Sequence, residues 1–432
     1  MYDLTDNRTL YAYQPEQLSR PASTMKLLTT IAALAQPEAG EPFRTEVWYR
    51  GVIEKDTLHG DIYVVGGFDP EFDEEALDTL VNAVARFPFS VVQGGVYGDV
   101  SVKDSLYWGS GWLWDDTPYA FQPYLSPLML DKGAVTVTAF PGKRGDKARL
   151  KSTPVSSFYT VTNETESLTP SAGRFSVSRN WLENGNKVVV TGNVDRQRVD
   201  AVNIYPSADF FMHTFMERLQ KKGIRCHSNY AFKEFQRDTA SIFQRDAVSV
   251  RMAAWATPMQ TVVNQTLKES DNLNAEALLW RLGAQATGKK HISAEDGLSA
   301  VRSLIKRLGY NPGRYNLADG CGLSNYDYIS PELLVAFLKF AYSRTDIFQK
   351  LYKALPVGGV DGTLRGRMKK GTASYRNVHA KTGSYTAINC LAGYLRADNG
   401  HQIAFAIMNQ NVLSGRDARA FQDTVCDELT LK

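Results

Sequence analysis

The segment that decides the fold lies near the start of the chain and reads Pro21-Ala22-Ser23-Thr24-Met25-Lys26. Ser23 and Lys26 are three positions apart, so they share one face of a helix. Pro21 restrains the chain before that helix, and the apolar residues that follow have the spacing of a helix anchored in a core. A hydroxyl and an amine held in this way can act as nucleophile and base without a histidine.

Two further short motifs follow in order along the chain, Ser270-Asp271-Asn272 and Lys381-Thr382-Gly383. The patterns Ser-x-x-Lys and Ser-x-Asn each arise by chance about once in a chain of this length. Lys-Thr-Gly is rarer, with roughly a tenth of a copy expected. The ordered set of three motifs therefore indicates an acyl-transfer enzyme.

Both short patterns occur a second time. Ser303 and Lys306 repeat Ser-x-x-Lys, but the apolar spacing around them is that of an ordinary surface helix, so we expect this pair to be structural. Ser178-Arg179-Asn180 repeats Ser-x-Asn beside a predicted hairpin. Ser23 differs because a helix start offers free N–H groups and the positive end of the helix dipole, although a plain N-cap serine is the alternative.

Composition predicts a globular protein. The chain has 432 residues, of which 43% are hydrophobic, and this length predicts two or three domains. A net charge of +3 without a dense basic block argues against a nucleic-acid partner. The cysteines are widely spaced, so we expect no obligatory disulfide framework, no metal and no cofactor: Cys226, Cys321, Cys390 and Cys426.

The chain shows neither an apolar run long enough to span a bilayer nor a basic-then-apolar signal peptide at Met1–Leu4. It begins within a strand-like segment, so we expect residues upstream in the native protein. Apolar periodicity predicts helices at 71–87, 207–222, 259–268, 274–286, 294–308, 331–343 and 416–431. Turn residues predict hairpins at Asn184-Gly185 and Asp398-Asn399-Gly400.

Motif placement also predicts a split domain. Ser23 lies near the N-terminus, whereas its expected partners lie in about the last 170 residues. One catalytic domain must therefore be assembled from both ends of the chain, with the middle inserted.

The sequence resembles the class C low-molecular-weight penicillin-binding proteins, which are D-alanyl-D-alanine carboxypeptidases and endopeptidases of the penicillin-binding protein four type. Beyond the three motifs, the resemblance rests on Gly60-Asp61 through Gly67, Asp69-Pro70, Trp112-Leu113-Trp114, Asp319-Gly320-Cys321-Gly322-Leu323-Ser324 and Asp361-Gly362-Thr363-Leu364. It implies an α+β fold: a serine β-lactamase/transpeptidase-like domain with an antiparallel sheet between helices, split by a large, mostly β insertion. The implied divisions are 1–66 with 256–432 for the catalytic domain, 67–96 with 161–255 for an inserted domain, and 97–160 for a nested one.

The resemblance also implies residue roles. Ser23 is the expected nucleophile and Lys26 the base, while Ser270 would relay a proton to the departing amine. Asn272 would orient Lys26 and bind the substrate backbone. The base assignments are debated within the family. The remaining expected roles are carboxylate binding by Lys381 and Thr382, close approach of substrate at Gly383, and an oxyanion hole formed by the N–H groups of Ser23 and Ser384.

A substrate side-chain pocket is implied as well. Its acidic and aromatic members match Asp116 and Phe121, whereas Asn325 stands where the family often has arginine, with Thr386 nearby. Cys321 replaces a serine common in the family. We expect the aromatic residues between Tyr107 and Tyr124 to pack in a core, and stacking on a glycan is the alternative. His379 is expected to be structural.

The implied partners are peptidoglycan stem peptides as substrate and β-lactams as inhibitors, with an envelope or periplasmic location. Two alternatives remain open on the sequence. A β-lactamase or esterase would use the same chemistry, but no deacylating glutamate can be placed. A penicillin sensor without catalysis would keep the fold, and the intact set of five motif side chains argues against it.

Overall fold

The computed structural model describes residues 1–37, 40–169, 173–236 and 249–431. The chain forms two compact units. The first unit comprises Met1–Glu41, Gly109–Leu113 and Pro258–Lys432, and the second comprises Pro42–Trp108 and Trp114–Thr257. The two ends of the chain therefore build one unit, as the placement of the motifs predicted.

The α-helices of the described ranges are α1 Met25–Leu34, α2 Glu74–Val84, α3 Ser207–Lys221, α4 Met259–Lys268, α5 Asn272–Thr287, α6 Ala294–Arg307, α7 Pro331–Tyr342, α8 Thr345–Ala354 and α9 Gly415–Thr430. The strands are β1 Tyr2–Asp3, β2 Arg8–Thr9, β3 Phe43–Glu54, β4 Thr57–Val65, β5 Val91–Val92, β6 Val96–Asp99, β7 Ala134–Phe140, β8 Arg149–Thr153, β9 Thr160–Glu166, β10 Ser176–Arg179, β11 Lys187–Asn193, β12 Arg198–Asn203, β13 Arg225–Cys226, β14 Tyr230–Phe232, β15 Ser249–Thr257, β16 His379–Tyr385, β17 Ile388–Arg396 and β18 Gln402–Gln410.

Each predicted helix is present, with ends within a few residues of those expected. The segment α8 was not predicted, although Ile347, Leu351 and Ala354 are buried at helical spacing. Both predicted hairpins form: β10 pairs with β11, and β17 pairs with β18. In the first hairpin the connection is longer than a two-residue turn, with a short 3₁₀ helix at Trp181–Glu183 before the left-handed Asn184.

The first unit is built on an antiparallel sheet in the order β16-β17-β18-β1-β2. Along β17 successive side chains point to opposite faces. Leu391 and Leu395 pack in one hydrophobic cluster with Cys426 and Leu429 of α9. On the opposite face the hydroxyl of Tyr394 donates to the Leu338 carbonyl of α7 at 2.7 Å. The sheet therefore lies between helices, which confirms the expected α+β fold.

Helix α1 is the centre of this unit. All ten of its residues are buried, including the charged side chain of Lys26. It packs against α4, α5, α6, α7 and α8. A helix buried on every side can carry a lysine only if hydrogen bonds replace the lost water.

The second unit is mostly β, as expected of an insertion. Its largest sheet has the order β13-β5-β4-β3-β15, with β6 and β14 beside β4, and smaller sheets are β10-β11-β9 and β12-β7-β8. One boundary differs from the expected one at residue 66, because β3 and β4 pair with each other and β3 pairs with β15. The finer division of the insertion into two nested domains stays a prediction.

A second difference concerns Gly109–Leu113, which was expected within the nested domain and belongs to the first unit. Two hydrogen bonds account for this. The indole Nε1 of Trp112 donates to Asp319 Oδ2 at 2.8 Å, and the N–H of Asn325 donates to the Gly111 carbonyl at 3.3 Å.

The core of the first unit can be tested at Leu391, which is fully buried. We expect Leu391→Ala to lower the free energy of unfolding by about 2–5 kcal/mol, because it removes buried methyl groups and leaves a cavity in the sheet. Leu413, at 93% exposure, provides the matched control. Leu413→Ala should change stability by less than about 0.5 kcal/mol in urea unfolding. Equal effects of the two substitutions would contradict the packing described.

Candidate active site

The turn that carries Ser23 is a 3₁₀ helix, Ala22–Thr24, which runs directly into α1. The hydroxyl of Thr24 donates to the Pro21 carbonyl at 2.7 Å and ties the turn together. Ser23 Oγ is 2.9 Å from Lys26 Nζ, and no side-chain cap is formed at the start of either helix. Ser23 is therefore not a plain N-cap serine, and the structure places it against Lys26 as the spacing predicted.

Lys26 is completely buried, and its ammonium nitrogen has three oxygen neighbours. These are Ser23 Oγ at 2.9 Å, Asn272 Oδ1 at 2.6 Å and the Cys321 carbonyl at 2.7 Å. Burial lowers the pKa of Lys26, because desolvation disfavours the charged amine, while Cys321, Asp319, Asp271 and Glu276 act in the opposite direction. The net lowering increases the neutral fraction of the Lys26 amine at a given pH.

The second motif begins helix α5. Asp271 is the N-cap residue, and its carboxylate accepts from the N–H of Asn274 at 2.9 Å, so Asn272 becomes the first helical residue. Ser270 precedes the N-cap residue and has a φ of +61°, a left-handed backbone conformation that residues other than glycine rarely adopt. Such strained residues are concentrated at functional sites.

Lys381 lies on β16 and is also fully buried. Its Nζ donates to Ser270 Oγ at 2.8 Å and to the Thr382 carbonyl at 2.7 Å. Burial, and then repulsion by Lys26, lower the pKa of Lys381 well below its usual range. We expected Lys381 to depress the pKa of Lys26; burial is the dominant cause there, and the repulsion is evident at Lys381.

Gly383 is where β16 meets the Ser23 turn. A Cβ at this position would lie 2.6 Å from the Pro21 carbonyl oxygen and 3.1 Å from the Ser23 nitrogen. We expected a glycine here to admit substrate. The structure supplies a nearer reason, which is that the strand backbone is pressed against the turn that holds Ser23.

The other expected contacts of the first unit lie along the same strand and beyond it. Thr382 is partly buried, and Ser384 is exposed on β16. Thr386 is exposed in the turn after β16, while the Asn325 carbonyl accepts from Arg20 Nε at 3.2 Å. The Thr382 hydroxyl contacts the hydroxyl of exposed Thr363 at 2.8 Å. Thr363 was therefore missed as a candidate contact, although its segment carried part of the resemblance.

Asp116 and Phe121 belong to the second unit. Asp116 ends the 3₁₀ turn Trp114–Asp116, and Phe121 is 46% exposed with its ring stacked on Tyr119 at 5.3 Å. Their roles stay predictions. Nearby, the rings of Tyr107 and Trp108 pack against buried Tyr124 at 5.3 and 5.6 Å, which favours the packing interpretation for these aromatic residues.

The loop at 319–324, whose Cys321 carbonyl contacts Lys26, was not predicted to belong to the site. Asp319 is 1% exposed, and its carboxylate accepts from the backbone N–H groups of Cys321, Gly322 and Ser324. Glu276, on α5, accepts from the Gly320 N–H at 2.9 Å. Burial, and then repulsion by the neighbouring Asp319 carboxylate, raise the pKa of Glu276 to about 8. The signal in the sequence was the segment Asp319-Gly320-Cys321-Gly322-Leu323-Ser324, which carried part of the resemblance.

Three other groups have simpler explanations. The Ser303 hydroxyl donates to the Ser299 carbonyl at 2.9 Å on the exposed face of α6, so this second Ser-x-x-Lys pair is structural, as predicted. His379 stacks on Tyr352 at 3.9 Å, and burial lowers its pKa. All four cysteines are free thiols.

Within the described ranges, two sets of side chains place three potential metal ligands close together. They are Asp3 with Asp6 and His401, and Glu276 with Asp319 and Cys321. In both sets the carboxylates already accept hydrogen bonds from the protein, including Thr5 N–H to Asp3 and Gly320 N–H to Glu276. A helix able to cross a membrane does not occur among the described residues.

Close packing at Gly383 can be tested directly. Gly383→Ala should lower the free energy of unfolding by about 1–3 kcal/mol, because the added methyl group meets backbone atoms of the Ser23 turn. Gly366 has open space around its Cβ position, so Gly366→Ala is the matched control and should leave stability unchanged or slightly higher. Chemical denaturation measures both. A Gly383→Ala protein as stable as wild type would show that the strand does not press on the turn.

Comparison with known proteins assigns the chain to a family. The D-Ala-D-Ala carboxypeptidase 3 (S13) family model matches residues 1–430. A D-alanyl-D-alanine carboxypeptidase of Actinomadura sp. strain R39 is 29% identical over 448 residues, covering 99% of this chain and 80% of that relative.

Solved structures share the fold. Penicillin binding protein 4 (dacB) of Haemophilus influenzae matches with a TM-score of 0.82 at 22% identity, covering 99% of this chain and 95% of that one. A penicillin G-acylated predatory endopeptidase of Bdellovibrio bacteriovorus, Bd3459, matches with a TM-score of 0.52 at 14% identity, covering 99% and 89%. The family match over nearly the whole length, with the geometry of the three motifs, shows that this chain is a serine peptidase of the D-Ala-D-Ala carboxypeptidase 3 (S13) family.

Proposed function

We propose that this protein cleaves peptidoglycan stem peptides as a D-alanyl-D-alanine carboxypeptidase and endopeptidase, through an acyl-enzyme on Ser23. The observation that carries the proposal is the contact of 2.9 Å between Ser23 Oγ and the fully buried Lys26 amine. A second hydroxyl–lysine pair, Ser270 and Lys381, is held at 2.8 Å in the same unit. Together the two pairs provide a nucleophile, a base and a route for protons.

In the acylation step, neutral Lys26 takes the proton from Ser23 as Ser23 Oγ attacks the carbonyl carbon of the penultimate D-alanine. The peptide C–N bond then breaks as Ser270 relays to the departing nitrogen the proton that Lys26 took from Ser23, so one proton leaves Ser23 and one reaches the amine. The products are an ester on Ser23 and a free amine, which is D-alanine in the carboxypeptidase reaction. Removal of a proton by a neutral amine at ordinary pH is supported by the lowered pKa of Lys26.

The developing negative charge on the substrate carbonyl would be stabilised by the backbone N–H groups of Ser23 and Ser384. Support comes from Gly383, whose contact with the Ser23 turn holds these two stretches of backbone together. Lys381 and Thr382 would bind the terminal carboxylate, and Thr363 extends this hydroxyl surface. Asn272 would bind the substrate backbone and orient Lys26, to which it is hydrogen bonded. Water then hydrolyses the ester and regenerates Ser23.

Asn325 and Thr386, in the first unit, would contact the stem-peptide side chain. For Asp116 and Phe121, in the second unit, a role in selecting that side chain is proposed from the family resemblance alone. An amide at Asn325 cannot form the ion pair that an arginine would form with a carboxylate. The guanidinium of Arg20, which donates to the Asn325 carbonyl at 3.2 Å, places a positive charge beside this position instead. Because cross-linked peptidoglycan lies outside the cytoplasmic membrane, we infer that the protein acts in the periplasm or cell envelope. This location is supported by the family alone.

The nucleophile can be tested with a fluorescent penicillin followed by denaturing electrophoresis. We expect Ser23→Ala to abolish covalent labelling, because no other hydroxyl among the described residues contacts Lys26. Ser303→Ala removes the hydroxyl of the second Ser-x-x-Lys pair and should label like wild type. Label that persists in the Ser23→Ala protein would rule out Ser23 as nucleophile.

The same labelling experiment separates the alternatives when D-alanine release from a diacetylated Lys-D-Ala-D-Ala peptide is measured in parallel. Stable label with D-alanine release supports the proposal. Stable label without release would indicate a penicillin sensor. Rapid loss of label with penicillin turnover would indicate a β-lactamase.

Acylation should depend on pH in a defined direction. Only the neutral Lys26 amine accepts a proton, so the acylation rate constant should fall as pH drops through the pKa of Lys26. We call this fall the pH limb. Because the pKa of Lys26 is lowered, the pH limb should lie below the usual lysine pKa of 10.5. Lys26→Arg keeps the positive charge at all accessible pH values and should lower the rate by about 100-fold or more. Lys306→Arg, in the second Ser-x-x-Lys pair, is the control and should retain the wild-type profile. A rate that rises toward acid would contradict Lys26 as base.

A further inference from the structure

The neighbours of Lys26 determine where its free electron pair points. A neutral amine has two N–H groups and one electron pair, and three oxygens surround Nζ. Asn272 Oδ1 and the Cys321 carbonyl can only accept hydrogen bonds, whereas the Ser23 hydroxyl can also donate. The two N–H groups therefore go to Asn272 and Cys321, and the electron pair is left facing the Ser23 proton.

This arrangement requires the Cys321 carbonyl to stay in place, and Asp319 fixes it. Asp319 Oδ1 accepts from the N–H of Cys321 at 3.1 Å and of Gly322 at 2.6 Å, and Oδ2 accepts from the N–H of Ser324 at 2.7 Å. One buried carboxylate thus holds three N–H groups within the segment that presents the carbonyl. Because the carboxylate is 1% exposed, water cannot replace it.

The loop is also held from outside. The indole of Trp112 donates to Asp319 Oδ2 at 2.8 Å, and Trp112 is itself 9% exposed. On the other side, the Gly320 N–H donates to Glu276 and the Thr29 hydroxyl donates to the Gly320 carbonyl at 2.7 Å. At Gly322, with φ of +79°, a Cβ would lie 1.9 Å from the Ala22 carbonyl oxygen, so the loop lies directly against the Ser23 turn.

We propose that Asp319 is a positioning residue for acyl transfer: it holds the Cys321 carbonyl against Lys26 and so aims the electron pair of Lys26 at Ser23, with Trp112 fixing Asp319. This inference rests on the proposed function and deepens it. Asp319 does not touch the reacting atoms. It acts through the loop backbone, and the carbonyl it places does the same work on Lys26 as the side chain of Asn272.

Asp319→Asn is the test variant because it keeps the size of the side chain. An amide has one accepting oxygen and one donating NH₂ group. Asp319 also contacts the buried carboxyl of Asp327, to which an amide can donate. Whichever way the amide is oriented, its NH₂ group still replaces one accepting oxygen: the one bound by Cys321 and Gly322, or the one bound by Ser324 and Trp112. Two N–H donors then lose their acceptor, and the Cys321 carbonyl is held less firmly.

The measurement is stopped-flow acylation by a fluorescent penicillin, as a function of pH and of penicillin concentration. We expect the limiting acylation rate constant of Asp319→Asn to fall roughly 100-fold, as for a misplacement of about 1 Å, while the concentration for half-saturation changes little. The pH limb should also move to lower pH, because the Asp319 charge raises the pKa of Lys26. The other groups that act on the pKa of Lys26, namely Asp271, Glu276 and Cys321, are retained. Also retained are Lys381, whose pKa Lys26 lowers, and the Asp327 carboxyl, which contacts Asp319.

A structural defect alone would lower the amount of active protein without moving the pH limb or the rate constant of the active fraction. Asp3→Asn is the matched control. Asp3 is 2% exposed and accepts from the N–H groups of Thr5 and Asp6, but it lies on β1, which pairs with β18 and β2. Its acylation rate constant and pH limb should equal those of wild type.

Asp319→Asn that acylates within about twofold of wild type with an unmoved pH limb would overturn the inference. If Asp319→Asn does not fold, Trp112→Phe decides: it removes one donor to Asp319 and keeps the charge, and slower acylation by about 10-fold at unchanged half-saturation is expected. Wild-type kinetics in Trp112→Phe would then overturn it. Wild-type protein that takes no label at all would instead overturn the proposed function, and this inference with it.

Discussion

The burial of an amine inside helix α1 is the constraint on which the site depends. Lys26 has no exposed surface, so every hydrogen bond it loses to water must be replaced by protein. Three segments that are far from one another in the sequence supply the replacements: the Ser23 turn, the start of α5 at Asn272, and the loop at Cys321. Their meeting point is fixed because a buried amine with a missing partner would be costly. The same desolvation that demands these partners lowers the pKa of Lys26 and makes it a base.

A second buried lysine divides the work. Lys381 reaches Ser270 from strand β16, while Lys26 reaches Ser23 from α1. Burial lowers the pKa of Lys381 well below its usual range, and repulsion by Lys26 lowers it further. Proximity of β16 to the Ser23 turn is possible because position 383 has no side chain. The contact of Gly383 with the Ser23 turn therefore serves the packing of β16 and also the placement of the two lysine–serine pairs.

The loop at 319–324 shows how a site depends on residues that never meet substrate. A carbonyl group can orient an amine only if the backbone that carries it is rigid. Asp319 provides that rigidity because its carboxylate accepts hydrogen bonds from three backbone N–H groups of the loop, as aspartates do in turns. The chain segment that supplies Trp112 comes from the middle of the sequence and is counted with the first unit for this reason.

The sequence by itself determined the chemistry and the split of the catalytic domain. The site was recognisable from three short motifs that occur in a fixed order along the chain: Ser23 with Lys26, Ser270 with Asn272, and Lys381 with Thr382 and Gly383. Helical periodicity located most helices. Tertiary structure alone decided which contacts those groups make. The contact of the Asp319 loop with Trp112, the pairing of β3 with β15 and the place of Gly109–Leu113 in the first unit depend on hydrogen bonds between residues far apart in the chain. Thr363 likewise meets Thr382 only in the folded protein. Local sequence patterns do not predict such pairings. The donors and acceptors meet only when the packed backbone brings them together out of water.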